Sequence, residues 1–275
     1  MEKCYIQLYS LKDEVAKSID NTLKCVAEVG YTGVEFYGGV YGGHSAASMK
    51  KLLADLHLEP LSSHLMTEHV PSQLDYASEL GIKYIIDPMY SFSTEEEALK
   101  FAEKLNETGK LCAARGIQFG YHNHRHEFLP SSDGTLMDTL IKNTDPAYVC
   151  FQLDVGWATC SGIDAPTFIA KYPGRTKLIH VKECSEVSGP EKPIDWSAFP
   201  KDADGRPQIP AEILEKFRRE NGWNVEAGKG IINWNAVKEA ALAQGAQGFI
   251  VEREHDYAND IYRCVEEDYT FLKAL

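Results

Sequence analysis

Residues 148–155 read YVCFQLDV, an almost unbroken apolar run in which an aspartate, Asp154, is the next-to-last residue. Strands that are apolar on both faces are typical of parallel sheets covered by helices, so this run predicts a buried strand. Similar short runs recur along the whole chain. The predicted strands are 4–9, 33–37, 59–65, 84–87, 118–123, 148–155, 177–182 and 248–253.

Segments with apolar residues at helical spacing lie between these strands. The segment 12–29 places Val15, Ile19 and Leu23 on one stripe, and a capping box at 93–96 opens a long helix. The other predicted helices lie near 45–56, 71–80, 133–142, 164–172, 232–243 and 260–274. Eight alternating strand and helix units predict an α/β fold, a closed (β/α)₈ TIM barrel. An open doubly wound sheet is the alternative, but no glycine-rich phosphate loop follows the first strand.

The length and composition of the chain fit one globular domain. Its 275 residues are 44% hydrophobic and 25% charged, which predicts a single barrel domain spanning 1–275 with a sizeable core. The net charge of −13 argues against a general nucleic-acid or anionic-membrane partner. No signal peptide or membrane-spanning run is recognisable, and the seven cysteines form no CxxC pair, so we expect a cytoplasmic protein.

One interval breaks the alternation of strands and helices. Between the seventh strand and the helix near 232–243 lies a loop insertion that includes KPIDWSAFPKDADGRPQIP at 192–210. Long loops at the carboxyl end of a barrel strand often cover the site, so we predict a lid, with a surface excursion of no function as the alternative.

Polar side chains occur at the carboxyl ends of most of the predicted strands. These ends meet at one mouth of a parallel barrel, so the side chains should converge there. They are Glu35, His64, His122, Asn123, His124, His126, Glu127, Asp154, Trp157, His180, Lys182, Glu183 and Glu252. A lone histidine or aspartate is more often a core residue or a helix cap. Several at the same end of different strands, within apolar runs where unpaired charge is costly, indicate a functional site.

Mixed carboxylate and imidazole side chains are suitable ligands for one divalent metal ion. Mn²⁺, Co²⁺, Zn²⁺ and Mg²⁺ all remain candidates on ligand softness. A metal ion at the mouth could polarise a carbonyl group, and nearby carboxylates or histidines could move a proton.

Five segments of the chain resemble the sugar phosphate isomerase/epimerase family of xylose isomerase-like TIM barrels. They are YHNHRHEF at 121–128, QLDVGW at 152–157, LIHVKE at 178–183, NVEAGKGIINW at 224–234 and IVERE at 250–254. The resemblance covers nearly the whole chain in order. That group includes inosose dehydratases, ketose 3-epimerases and hydroxypyruvate isomerases, and is distantly related to endonuclease IV. It implies a metal-dependent isomerase or epimerase that moves a proton next to a carbonyl on a sugar, ketosugar or polyol, with or without a phosphate.

The resemblance also implies a set of metal ligands. An aspartate from strand six, a histidine from strand seven and a glutamate from strand eight match Asp154, His180 and Glu252. The ligand from strand five is open, because many relatives carry glutamate where this chain has His122. We favour Glu127 over His122, since Glu127 and Glu252 could then face each other across the metal as the catalytic acid/base pair. The one of Glu127 and His122 that is not a ligand would still contact substrate.

Other residues are predicted to contact the substrate or support the site. Trp157 could form an apolar platform or simply pack, and Lys182 could hold an oxyanion or pair with a carboxylate. His124 could contact substrate or support its loop, and the glycines of the segment around Glu226 fit a backbone role. The predicted substrate-binding residues are His64, His124, Trp157, Lys182 and Glu226.

Three other functions remain as alternatives. A dehydratase, which is a lyase, would use the same metal site and the same first proton transfer. Cleavage of damaged DNA, as in endonuclease IV, would need three zinc ions and a basic surface, and the net charge of −13 argues against it. A non-catalytic sugar-binding barrel is the third. The relatives are often dimers or tetramers, so a homo-oligomer is also expected.

Overall fold

The computed structural model describes residues 1, 3–195, 198–200, 208–216, 225–253 and 260–275. Eight parallel strands form a closed barrel, in which each strand pairs with its neighbours along the chain and β8 pairs with β1. The strands are β1 Tyr5–Gln7, β2 Gly33–Tyr37, β3 Glu59–His64, β4 Tyr84–Asp87, β5 Gln118–His122, β6 Val149–Asp154, β7 Thr176–Val181 and β8 Gly248–Val251. This topology confirms the predicted TIM barrel.

Helices lie between the strands and pack on the outside of the barrel. They are α1 Lys12–Lys17, α2 Ile19–Val29, α3 Ala46–Asp55, α4 Val70–Leu80, α5 Glu95–Ala113, α6 Leu136–Asn143, α7 Val155–Cys160, α8 Ala165–Lys171, α9 Trp234–Ala243 and α10 Ile261–Ala274. A short antiparallel pair, Pro130–Ser131 with Gly134–Thr135, precedes α6. Among the helices described, none combines the length and apolar character that a membrane span requires.

The helices differ from the sequence prediction in three places. The segment 12–29 forms two helices, because Ser18 is extended and its hydroxyl accepts a hydrogen bond from Asn21 N at 3.3 Å, which caps α2. The capping box of α5 consists of Thr94 and Glu97, one residue later than predicted. The short helix α7 was not predicted, and it begins directly after Asp154.

The interior of the barrel changes from apolar to polar towards the carboxyl ends of the strands. A buried apolar cluster consists of Tyr5, Leu61, Ile86, Cys150, Leu178 and Ile250. Residues two positions further along a strand lie on the same face. In three strands these are the buried polar residues Gln7, Gln152 and His180, and directly after β8 it is the partly exposed Glu252. The apolar cluster therefore forms the base on which a polar layer rests.

The long interval after β7 is described only in part. It runs from Val181 to Trp234, and residues 196–197, 201–207 and 217–224 lie outside the described residues. Its role as a lid, and the assignment of 1–275 to one domain, stay predictions.

Candidate metal centre

Four side chains converge at the carboxyl ends of β5 to β8. His122, Asp154, His180 and Glu252 each offer one ligand atom, and these atoms lie within 4.8 Å of one another. His180 Nδ1 lies 3.3 Å from Glu252 Oε2, and Asp154 Oδ2 lies 3.9 Å from both His180 Nδ1 and His122 Nε2. Atoms that share one ion through bonds of about 2 Å are roughly 3–4 Å apart. The spacing therefore fits one divalent cation.

Asp154 carries the strongest sign of a missing positive charge. Its Oδ1 accepts a hydrogen bond from Trp157 N at 2.8 Å and so caps α7. Its Oδ2 is buried and has no hydrogen-bond partner among the described residues. Burial raises the pKa of Asp154 to about 7, although Lys182 and His180 act in the opposite direction. A buried carboxylate oxygen without a partner is costly, and a metal ion would supply one.

The two histidines of this group differ in charge before any metal binds. Burial, with His180 nearby, lowers the pKa of His122 well below its usual value, so His122 is neutral and able to act as a ligand. Burial also disfavours charge on His180, but Glu35 and Glu252 outweigh it and raise its pKa to about 10. A metal ion that binds His180 Nδ1 must therefore displace a proton.

Glu35 lies directly beneath the group, and the sequence analysis gave it no specific role. Its carboxylate accepts hydrogen bonds from His180 Nε2 (2.6 Å), Ser62 Oγ (2.6 Å), Gln7 Nε2 (2.7 Å) and Gln152 Nε2 (2.7 Å). Burial raises the pKa of Glu35, but the facing His64 and His180 reverse this and hold it well below its usual range. One feature of the sequence could have indicated a role for Glu35, namely that this carboxylate lies between the apolar residues Val34 and Phe36 of a buried strand.

Glu127 does not belong to the converging group. It lies in a 3₁₀ turn, His126–Phe128, where Oε1 accepts a hydrogen bond from Tyr121 OH at 2.6 Å and Oε2 accepts one from His124 N at 2.9 Å. The turn directs the carboxylate back onto its own loop. The structure thus brings His122, and not the favoured Glu127, together with the other three residues.

A cavity of about 510 Å³ opens above the converging group. His64, His122, His124 and Glu252 contribute polar groups to its lining. Its other lining residues include the apolar and aromatic Tyr9, Tyr37, Leu65, Met66, Pro88 and Met89 and the polar His69, Ser72 and Gln73. The cavity therefore combines a polar floor with walls that carry both apolar and polar groups, which suits the faces and hydroxyl groups of a small ring.

A second cavity of about 240 Å³ adjoins the first, and both are lined by Met89 and His124. Trp157 also lines this second cavity. Among the described residues, His124 Nδ1 and Trp157 Nε1 are buried polar atoms without a hydrogen-bond partner. Burial, with His126 and Lys182 nearby, lowers the pKa of His124 to about 3, so its ring is neutral. Trp157 Nε1 can only donate a hydrogen bond, whereas His124 Nδ1 donates or accepts according to the tautomer of its neutral ring.

Lys182 lies between the metal group and Trp157. Its Nζ is 4.0 Å from Glu252 Oε2 and 4.5 Å from the centre of the Trp157 ring. Burial raises the pKa of Glu252, but His180 and Lys182 reverse this and hold it well below the usual range. Glu252 is therefore a carboxylate with a lysine beside it.

Two glutamates near this region have other contacts. Glu226 pairs with Lys229 at 3.2 Å, has a side chain 30% exposed, and lines neither cavity. Glu183 accepts hydrogen bonds from Trp234 Nε1 at 2.7 Å and Gly228 N at 3.0 Å. A Cβ at Gly230 would lie 2.1 Å from Cys184 O, so this turn requires glycine. Glu183 therefore anchors the segment that carries Glu226.

Comparison with known proteins identifies the family. The family model of xylose isomerase-like TIM barrels matches residues 23–275. An inosose dehydratase from Geobacillus thermodenitrificans is 26% identical, over 86% of this chain and 83% of the relative. A sugar phosphate isomerase/epimerase from Parabacteroides distasonis has a TM-score of 0.74 at 26% identity, covering 99% of this chain and 93% of that chain. The IOLI protein with a binding zinc atom has a TM-score of 0.70, covering 99% and 97%, and its 14% identity shows the fold alone. The chain belongs to the xylose isomerase-like TIM-barrel family.

Proposed function

We propose that the chain is a divalent-metal-dependent dehydratase acting on a cyclic ketosugar or inosose. The observation that carries this proposal is an oxygen of Asp154 that has no hydrogen-bond partner among the described residues and faces two imidazoles beneath a cavity of about 510 Å³. The proposed metal ligands are His122, Asp154, His180 and Glu252. A cation held there would place positive charge next to the substrate carbonyl and favour loss of the neighbouring proton.

The ligand set favours zinc, cobalt or manganese over magnesium. Imidazole nitrogens suit the later transition metals, whereas magnesium prefers oxygen ligands and retains water. Two of the four proposed ligands, His122 and His180, are imidazoles. We expect Zn²⁺ and Co²⁺ to bind more tightly than Mn²⁺, and Mn²⁺ more tightly than Mg²⁺.

Glu252 is the proposed base. It is the carboxylate residue that lines the larger cavity in the described part of the chain, and its pKa lies below the usual range, so it is ionised at neutral pH. It would take the proton from the carbon next to the carbonyl. The electron pair of that C–H bond forms a C=C bond, and the C–O bond of the neighbouring hydroxyl breaks. Lys182 lines neither cavity itself, but its Nζ lies 4.0 Å from Glu252 Oε2, and from there it would give the departing hydroxyl a proton, so that water leaves.

The remaining cavity residues would hold the substrate. His64 and His124 line the larger cavity, and Trp157 lines the smaller one beside it. His124 Nδ1 and the donor Trp157 Nε1 would bind hydroxyl groups, and the Trp157 ring would cover an apolar face of the substrate.

Elimination is favoured over epimerisation by the position of Glu127. Return of the proton to the opposite face needs a second acid or base across the substrate, a role predicted from the sequence for Glu127, with a histidine as the alternative. That carboxylate is engaged by Tyr121 and by the backbone of His124. The similarity to an inosose dehydratase supports the same choice. Isomerisation or epimerisation is the second candidate, favoured by the similarity to a protein named as an isomerase/epimerase.

The test uses the metal-loaded chain in deuterium oxide with an inosose, several ketohexoses and their phosphorylated counterparts. A product lighter by one water supports dehydration. A product that has lost no water and carries one deuterium supports the second candidate instead. It would be an epimer if the connectivity is unchanged, and an aldose or ketose isomer if the carbonyl has moved. No exchange and no product with any of these compounds, in a chain that holds metal, would refute the proposal.

Two substitutions distinguish a specific effect of losing the Glu252 carboxylate from the effect of losing any one negative charge. Glu252→Gln should lower turnover by at least about 100-fold, since general-base catalysis contributes about that much or more. The matched control is Glu239→Gln, because Glu239 is exposed on α9. Equal activities of the two variants would exclude Glu252 as the base.

A further inference from the structure

Gln152 links His122, one of the two imidazoles of the proposed metal site, to Glu35, which contacts the other, His180, directly. The side chain of Gln152 is fully buried. Its Nε2 donates to Glu35 Oε2 at 2.7 Å, and its Oε1 lies 2.9 Å from His122 Nδ1 and 2.7 Å from His64 Nε2. One amide therefore contacts a carboxylate on one side and two histidines on the other.

The carboxylate determines which way this amide faces. An ionised carboxylate only accepts hydrogen bonds, so the NH₂ group of Gln152 must face Glu35. The carbonyl oxygen of Gln152 must then face the histidines, and it can only accept. His122 therefore carries its proton on Nδ1, which leaves Nε2 as the ligand nitrogen. That nitrogen is the one 3.9 Å from Asp154 Oδ2.

Glu35 fixes the opposite arrangement in His180. Its Oε1 accepts the Nε2 proton of His180 at 2.6 Å, so the ligand nitrogen of His180 is Nδ1. That nitrogen faces Glu252 Oε2 at 3.3 Å. Glu35 is itself held by Gln7 and Ser62, so its position does not depend on a metal ion.

We propose that Glu35 and Gln152 act as a positioning pair that sets opposite tautomers in the two imidazole ligands, Nδ1–H in His122 and Nε2–H in His180. This inference rests on the metal site of the proposed function. The pair lies beneath the ligands and outside the residues that line the cavities, so it acts through His122 and His180 rather than on substrate. It also gives His64 a proton on Nε2, which leaves His64 Nδ1 as an acceptor.

The tautomers can be read directly. In the zinc-loaded protein, nitrogen-15 spectra of the imidazole rings should place the proton of His122 on Nδ1 and that of His180 on Nε2. The same protonated nitrogen in both rings, or the reverse assignment, would overturn the inference. This measurement uses the unaltered chain and does not depend on the folding of a variant.

Substitution tests whether the pair matters for metal binding. Gln152→Met keeps the length of the side chain and removes both hydrogen-bonding groups, and Glu35→Gln places an NH₂ group among four donors. Each should weaken zinc binding by about 10- to 100-fold, as for other residues that orient metal ligands. Gln118→Met, in the neighbouring strand β5, is the matched control and should bind zinc like the unaltered chain.

The outcomes separate this inference from the proposed function. An unaltered chain that takes up no zinc, cobalt or manganese would refute the metal site and the inference together. An unaltered chain that binds zinc, with a folded Gln152→Met variant that binds it equally well, would refute the positioning pair alone. Thermal unfolding of the chelator-treated variants shows whether each one is folded.

Discussion

Replacing Asp154 by asparagine should stabilise the metal-free chain while removing its ability to hold a metal ion. Asparagine can keep the cap of α7, because its carbonyl oxygen can accept from Trp157 N as Asp154 Oδ1 does. The substitution removes the charge on a buried oxygen for which the described part of the chain supplies no partner. A rise of the pKa from 3.8 to about 7 corresponds to about 4 kcal/mol of lost stability at pH 8. Burial of the new NH₂ group costs roughly 1–3 kcal/mol, so the net gain should be about 2 kcal/mol.

The sign of the pH dependence follows from the raised pKa. Below the unfolded pKa of about 3.9 the folded and unfolded chains both carry a protonated Asp154, and the penalty is absent. It grows as pH rises through the folded pKa of about 7 and is then constant. At pH 5 the charge penalty is only about 1.7 kcal/mol, which is close to the pH-independent cost of burying the new NH₂ group, so Asp154→Asn should have almost no net advantage there.

Thermal unfolding in the presence of a chelator measures this effect. A gain of about 2 kcal/mol should raise the Tm of a chain of this size by about 4 °C at pH 8. The control is Asp75→Asn, whose side chain is 85% exposed and whose ion pair with Arg115 should contribute under about 1 kcal/mol. A variant no more stable than the unaltered chain at pH 8, or equally favoured at pH 5, would refute the unpaired charge. Added zinc should then raise the Tm of the unaltered chain and not that of Asp154→Asn.

Three further predictions concern other parts of the structure. Asp268→Asn removes the carboxylate that binds the buried Arg253 guanidinium at 2.6 and 2.7 Å. Urea unfolding should show that the free energy of unfolding falls by about 3–5 kcal/mol. A fall of less than about 1 kcal/mol would contradict the buried pair. Glu183→Gln should lower the free energy of unfolding by about 1–3 kcal/mol. It should also speed amide hydrogen exchange at Gly228, whose N–H donates to Glu183 at 3.0 Å. Unchanged exchange would show that Glu183 does not anchor this segment. Zinc affinity should rise by about tenfold per pH unit near pH 8, because the pKa of His180 is raised to about 10 and its proton must leave. The rise should be steeper below about pH 7, where Asp154 is protonated as well. Calorimetry in buffers of different ionisation enthalpy should detect the released protons, and a pH-independent affinity would exclude them.

The barrel could be predicted because its strands have a clear pattern. The run at 148–155 contains the observed strand Val149–Asp154 with one residue of error at each end. The helix α7 could not be predicted, since the apolar residues after Asp154 read equally well as a continuation of the strand. The break at Ser18 was missed for a related reason. The apolar stripe continues across it, and only the serine cap shows where the second helix begins.

The site was predictable where barrel geometry alone brings residues together. Asp154, His180 and Glu252 end successive strands, and parallel strands must present those ends at one mouth. The direction of Glu127 depends on a local 3₁₀ turn that the sequence does not announce. The role of Glu35 depends on a contact with His180 across 145 residues of sequence, which only the assembled barrel defines.

The helix cap at Asp154 also limits the denticity of this residue. One of its oxygens is committed to Trp157 N, and Trp157 is held by the first turn of α7. Asp154 can therefore offer an ion a single oxygen and cannot move to a two-oxygen mode without uncapping the helix. A bound ion could therefore change its coordination number only through water, substrate oxygens or the other carboxylate of the group, Glu252.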